Sequence, residues 1–236
     1  MKNKNEFRKY GVKHLGVNGT LIDDYSKFQH NQYELKNKLY QPKSLTPMVI
    51  EERELNITVI SVFDRLMKDR IIWLFGGIDD QVATVIQAQL MFLDSADSEQ
   101  DITLHISSGG GSIYDGLGII SVMEYIKSNV RTINTSISAS MAAVLLAAGT
   151  KGKRMSLRFS RTMIHQSSSN IGDNIVDARI EFEEWEKTNK ELFELLGKYC
   201  GKKPKQVEKD AERNKWLNPE EAKSYGLIDE IIKSSR

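Results

Sequence analysis

Excess charge of either sign is missing from this chain of 236 residues: 33 Lys and Arg against 32 Asp and Glu leave a formal net charge of +1. Such a balance gives neither a nucleic-acid footprint nor adhesion to an anionic membrane. Cysteine is almost absent as well. Cys200 is alone, which excludes an intramolecular disulfide, and no Cys/His cluster surrounds it to build a zinc site; it reads as a thiol near a helix end in a reducing compartment. No apolar run reaches the length of a bilayer span, and the opening Met-Lys-Asn-Lys-Asn-Glu-Phe-Arg-Lys-Tyr lacks a signal-peptide core. Glu6, Asp23 and Asp24 argue against an acid-poor transit peptide, so the expectation is a cytoplasmic protein with no membrane and no nucleic-acid partner. Gly149-Thr150-Lys151-Gly152-Lys153-Arg154 is too short for a phosphate-binding loop, and no His-Glu-x-x-His occurs. No metal, no cofactor and no intrinsic ATP hydrolysis are therefore expected, and there is no internal repeat or low-complexity tract.

What is present, with 40% hydrophobic residues, suffices for one sizeable core. Residues 1–44 are polar and lack a sustained apolar period, so they read as an appendage: a flexible tail, or alternatively a removable or docking segment. The globular unit is expected over 45–236. Within it, Val62 to Asp69 has helical spacing, and Arg70 to Phe75 reads as a buried strand ending at Gly76-Gly77. Asp79 and Asp80 start a helix from Val82 to Asp94, apolar on one face. The pattern then repeats as strand Ile102 to Ile106, a glycine turn, helix Tyr114 to Lys127, strand Val130 to Ser136, helix Ser140 to Ala148 and strand Arg161 to His165. This alternation predicts an α/β fold with a parallel sheet and crossover helices. Ile175 to Tyr199 is a long, charged, amphipathic helix; Asn218-Pro219-Glu220-Glu221 opens another, Tyr225-Gly226 closes it, and Leu227 to Ile232 reads as the last strand.

Ligands of such sheets gather at the carboxyl ends of strands. Three features fall there: the nest Ser107-Ser108-Gly109-Gly110-Gly111, Ser140 at the head of a small-residue helix, and His165. A serine hydroxyl is a weak nucleophile until a base takes its proton. Of the four histidines, His14 and His30 lie in the polar appendage and His105 sits mid-strand on a sheet face. His165 is the better base, although a histidine after an apolar run is often a satisfied core group. The Met141 N–H at the helix start would face an oxyanion formed at Ser140, and Gly110 or Gly111 can offer a second N–H with no Cβ in the way. These parts are those of covalent acyl transfer.

The residues resemble a known family, the proteolytic subunit of the Clp protease (ClpP), a crotonase-like serine peptidase. The resemblance rests on Arg70 to Leu74, Gln87 to Leu93, Ser108 to Ser112, Ala139 to Arg154, Met163 to Gln166 and Glu220 to Glu230. It implies a spiral of ββα units with a protruding handle helix, the handle region falling at about 167–200. It implies Ser140 as nucleophile, His165 as general base and Gly111 with Met141 as oxyanion donors. It further implies two stacked heptameric rings that cleave unfolded polypeptides delivered by an AAA+ unfoldase ATPase, with Glu212 and Arg213 in contacts between rings.

The chain departs from the family pattern at the third catalytic position, where Asn214 stands in place of an aspartate. An amide oxygen can orient the imidazole but carries no charge; in chymotrypsin-like enzymes the same exchange costs about 10⁴ in turnover. Weakened or conditional peptidase activity is the expectation, with Asp210 as a substitute third member or a solvated surface carboxylate. Ser167-Ser168-Ser169-Asn170 replaces the family's Pro-Leu-Gly-Gly, keeping backbone pairing with a peptide while losing apolar grip. Thr103 and His105 replace aromatics of the ATPase-docking cleft. Alternatives are a regulatory ring partner of a more active ClpP paralogue, acyl-CoA chemistry on the same fold, and a phage prohead peptidase.

Overall fold

The computed structural model describes residues 48–53, 56–168 and 174–232, with positions 12, 13 and 20; but for those three, the appendage expected over 1–44 lies outside the described residues. Met48–Arg236 folds as a unit of its own, and its elements run as follows. Strand β1 (Met48–Arg53) pairs antiparallel with β2 (Asn56–Ser61). Helix α1 (Val62–Lys68) follows, capped by the Ser61 hydroxyl, which accepts from the Asp64 N–H.

The main sheet then grows by alternation: β3 (Ile71–Ile78), α2 (Asp80–Ala96), β4 (Ile102–Gly111), α3 (Ile113–Tyr125), β5 (Val130–Ala139) and α4 (Met141–Ala147). Asp79 and Ser112 cap α2 and α3 with their side chains, as short polar residues at helix starts should. After these come β6 (Arg154–Leu157), β7 (Arg161–Ile164), α5 (Ile175–Cys200), α6 (Pro204–Asp210), β8 (Lys215–Leu217), α7 (Pro219–Tyr225) and β9 (Glu230–Ile232). Seven described strands form one sheet in the order β3-β4-β5-β6-β9, with β7 pairing both β5 and β8. Among the described residues no helix is long and apolar enough to cross a membrane.

Two sequence expectations need correction. The sheet is mixed, because β8 runs antiparallel to β7 with Thr162 opposite Leu217. The glycine nest expected as a turn after Ile106 belongs to β4, and β3 runs on past Gly76-Gly77, with Gly77 opposite Gly110 and Ile78 opposite Gly111. A register shift between Ile106 and Ser108 lets β4 carry on past its apolar run, so the apolar pattern ends before the strand does. Strands β1, β2, β6 and β8 and helix α6 have no counterpart in the sequence pattern; each is too short to show a clear period, and α6 lacks the side-chain cap that marks α7.

Strand β5 positions the site by changing partners. Its first half lies beside β6, Thr132 to Asn134 against Arg154 to Ser156. Its second half lies beside β7, Ile137 to Ala139 against Arg161 to Met163. The strand thus delivers Ser140 between β4 and β7. Helix α4 behind it is buried at all seven positions, each large apolar side chain contributing about 1.5–3 kcal/mol of burial. Helix α5 divides along its length. Its first turns expose Ile175, Val176, Ile180 and Phe182, whereas Leu192, Phe193 and Leu196 are buried against the core. Asn218 and Glu221 form the reciprocal cap expected at the start of α7, and Gly226, at φ 97°, ends it.

Candidate active site

Where β5 gives way to α4, the backbone of Ser140 takes φ 56° and ψ −127°. A non-glycine residue at positive φ is uncommon and costs on the order of 1–3 kcal/mol, so the surroundings must enforce it. Two backbone bonds do so: the Ser140 N–H donates to the Met163 carbonyl at 2.9 Å, and the Ser140 carbonyl accepts from the Ala143 N–H at 2.9 Å. Gly110 supplies the third constraint. A Cβ there would lie 2.7 Å from the Ala139 oxygen, 2.7 Å from the Ser140 Cβ and 3.0 Å from the Met141 nitrogen, so only glycine lets β4 approach this corner.

The consequence for the hydroxyl is chemical. Serine before a helix normally spends its oxygen accepting from the first-turn N–H groups. Ser61, Asp79, Ser112, Asn174 and Asn218 all do this in the present structure. Ser140 makes no side-chain cap bond. With no cap bond to make, Oγ is left available for another role.

His165 follows β7 directly and is half-buried. Ser140 and His165 line the same narrow cleft, together with Met141, Ile164, Ser167 and Asn189. His165 also lines a second, shallower opening, whose wall includes Glu212, Arg213 and Asn214. His165 is thus shared by a cleft that includes the serine and an opening that includes the asparagine. Hydrogen bonds in this region run to backbone and neighbouring groups, and none joins one of the three side chains to another; catalytic bonds are often loose before substrate arrives. Gln166 ties the two openings together, donating from its backbone N–H to the Ala211 carbonyl and from Nε2 to the Glu212 carbonyl at 3.1 Å. Glu212, Arg213 and Asn214 are exposed.

The glycine nest lies close to the Met141 amide. The Gly110 N–H is already donated to Ser108 Oγ at 3.1 Å, whose own hydroxyl donates to the Gly76 carbonyl at 2.6 Å. At Gly111 a side chain would overlap the Ile78 carbonyl oxygen. Gly116 on α3 likewise leaves room for the Met141 side chain, which seats the first residue of α4.

Asp210 fits neither role that the sequence suggests for it. Its carboxylate accepts from Lys215 Nζ at 3.0 Å and from the Tyr225 hydroxyl at 3.1 Å, and its side chain is only 16% exposed. Burial opposes its ionisation, but Lys215, the Gln206 side chain and the Tyr225 hydroxyl together outweigh that and hold its pKa below the ordinary value. Asp210 is a brace for the corner that carries Asn214. Nothing in the local sequence marks it, because Lys215 and Tyr225 reach it from elements that fold back on α6.

His105 lies on the sheet face as its alternation requires, stacked on Trp73 of β3 with ring centroids 4.6 Å apart, and burial lowers its pKa. Trp73 also borders an apolar cleft of about 320 Å³ with Phe63, Phe75, Val82 and Val85. Cys200 ends α5 as a free thiol, its pKa pushed up to about 11 by burial. Asn189, a polar position in a long amphipathic helix, gives no sequence signal of its place at the cleft.

A Clp protease family model matches residues 53–235 of the chain. Among curated relatives, the chain is 45% identical to an ATP-dependent Clp protease proteolytic subunit of Porphyromonas gingivalis, over 98% of this chain and 99% of that protein. Similar subunits of Bacteroides fragilis and Bacteroides thetaiotaomicron are 45% and 44% identical, each over 96% of this chain and 98% of the relative.

Proposed function

This chain belongs to the Clp protease family, as a proteolytic subunit and serine protease, and we propose that Ser140, His165 and Asn214 are its catalytic residues, with Gly111 and Met141 as the oxyanion donors. The observation that carries the assignment is the Ser140 hydroxyl, free of any cap bond and sharing one cleft with His165. In this reading Ser140 Oγ attacks the scissile carbonyl while His165 takes the hydroxyl proton. The oxyanion receives the Met141 and Gly111 N–H groups. His165 then hands its proton to the departing amine, leaving an acyl ester on Ser140. Water, deprotonated by His165, attacks that ester; the bond to Oγ breaks, the new carboxyl terminus leaves, and His165 returns the proton to Ser140 Oγ.

Asn214 lines one opening with His165; in this reading it orients the imidazole without supplying charge, which weakens catalysis. Asn214→Asp is expected to raise kcat for a fluorogenic peptide by about 10²- to 10⁴-fold, the span of an amide-for-carboxylate exchange at this position. An unchanged rate would remove Asn214 from the catalytic set.

Family membership implies an oligomer and an ATPase partner. The proposed form is two stacked heptameric rings acting on unfolded polypeptides in the cytoplasm, with the exposed apolar start of α5 and Glu212 with Arg213 serving contacts between rings. The apolar cleft beside Trp73 is the proposed seat of the AAA+ unfoldase. A second reading, a regulatory ring partner of a more active ClpP paralogue, draws on the uncharged Asn214. Co-expression with such a paralogue separates the two, since rings that never mix exclude the partner role.

Residues 1–44 are proposed as an extension removed by the assembled enzyme. Intact mass measurement should show a shortened chain in the wild type and a full-length one in Ser140→Ala. Equal full-length masses would end that proposal.

A further inference from the structure

The chain leaving His165 is held from two sides. Gln166 is fixed on one by the carbonyls of Ala211 and Glu212. On the other, the Ser167 N–H and the Ser167 hydroxyl both donate to a single acceptor, Asn189 Oδ1, at 3.3 and 2.7 Å. A carboxamide oxygen has two lone pairs and can serve both donors. Asn189 itself sits on a firm part of α5: its neighbour Thr188 is buried and donates back to the Glu184 carbonyl at 3.0 Å, and Leu192 and Phe193 on the next turn are buried in the core. Asn189 also lines the cleft that holds Ser140 and His165.

We propose that Asn189 is a positioning residue for substrate: by clamping Ser167 at both backbone and side chain, it fixes the edge along which an extended peptide is laid beside the nucleophile. The inference rests on the proposed active site. An edge of small serines has little packing to hold it, so an unclamped edge must be ordered each time a peptide binds, and that ordering is drawn from the binding energy. With the clamp, the edge is ready before the peptide arrives. Asn189 acts through Ser167, and the reacting atoms themselves do not depend on it.

The test uses the full chain in its assembled form, a fluorogenic peptide and a small fluorophosphonate that reacts with the nucleophile without needing the edge. Asn189→Ala is expected to raise the peptide KM about three- to tenfold, the worth of one or two hydrogen bonds, with kcat and the rate of fluorophosphonate labelling little changed. Ser167→Ala, which removes one of the two donors and leaves the helix intact, should raise KM by a smaller factor. The double variant should match Asn189→Ala alone, because the two residues form one device. An unchanged KM in either single variant, effects that multiply in the double variant, or a fall in kcat with KM constant would overturn the proposal. Absence of labelling in the wild type would instead sink the active-site assignment beneath it, and the inference with it.

Discussion

Ser140→Ala is expected to remove peptide hydrolysis while leaving the fold and the assembled form in place. Loss of the nucleophile in a serine protease lowers kcat by about 10⁶-fold, down to a floor set by the oxyanion donors and binding. The size of the fall here also reports on Asn214. If Asn214 has already cost the wild type about 10⁴ in turnover, only about 10² separates it from that floor. The expected loss therefore lies between about 10²- and 10⁶-fold, and it should widen when Ser140→Ala is made in an Asn214→Asp background. The stability of the variant should barely move, because the Ser140 hydroxyl caps nothing. Turnover within a factor of a few of the wild type would mean that another group attacks the carbonyl.

The second large effect is on stability. Arg154 is 1% exposed and gathers three parts of the chain. It donates to Asp229 from Nε at 2.8 Å and from its terminal nitrogen at 2.6 Å, to the Ala147 carbonyl at the end of α4 at 3.2 Å, and to the Tyr199 carbonyl near the end of α5 at 3.0 Å. Breaking such a pair from one side leaves a desolvated carboxylate and two carbonyls short of donors. Arg154→Leu is expected to destabilise the protein by about 3–5 kcal/mol, as removal of one partner of a buried pair does. A lowered urea midpoint would show it. Replacing Arg154 and Asp229 together by apolar residues of similar volume should cost less than Arg154→Leu alone.

The same pair sets an acid limit. Burial raises the Asp229 pKa, but hydrogen bonds and charge from Arg154, with the Gly152 N–H, outweigh it and bring the net value below the ordinary one. A carboxylate depressed in the folded state contributes stability at pH above its unfolded pKa of about 3.9, and that contribution drains away as pH falls through the folded value. The gap in urea midpoint between wild type and Arg154→Leu should therefore be widest near neutrality and narrow in acid. A gap independent of pH would mean that Asp229 is not the partner that matters.

Much of this is legible in the sequence, and the boundary has physical causes. Elements β3 to β5 show two or more repeats of a strand or helix period, so their order and spacing are visible, as are Ser140 and His165 at the ends of β5 and β7. The glycines of β4 mark a close approach correctly, yet they lie within a strand, because extended pairing needs no apolar side chain. Residues whose role depends on partners far along the chain stay hidden. Asp210 gives no hint of Tyr225, nor Asn189 of Ser167. The backbone twist at Ser140 is hidden too, since it is imposed by Met163 and Gly110 from neighbouring strands and not by any local propensity.

The central claim is that the hydroxyl of residue 140 is the activated nucleophile and that His165 activates it. Treating the assembled chain with a fluorophosphonate and mapping the adduct by peptide mass measurement tests it most directly. The account predicts one modified residue, Ser140, with labelling strongly slowed in His165→Ala. An adduct on a different serine, or labelling of Ser140 at the same rate without His165, would contradict it.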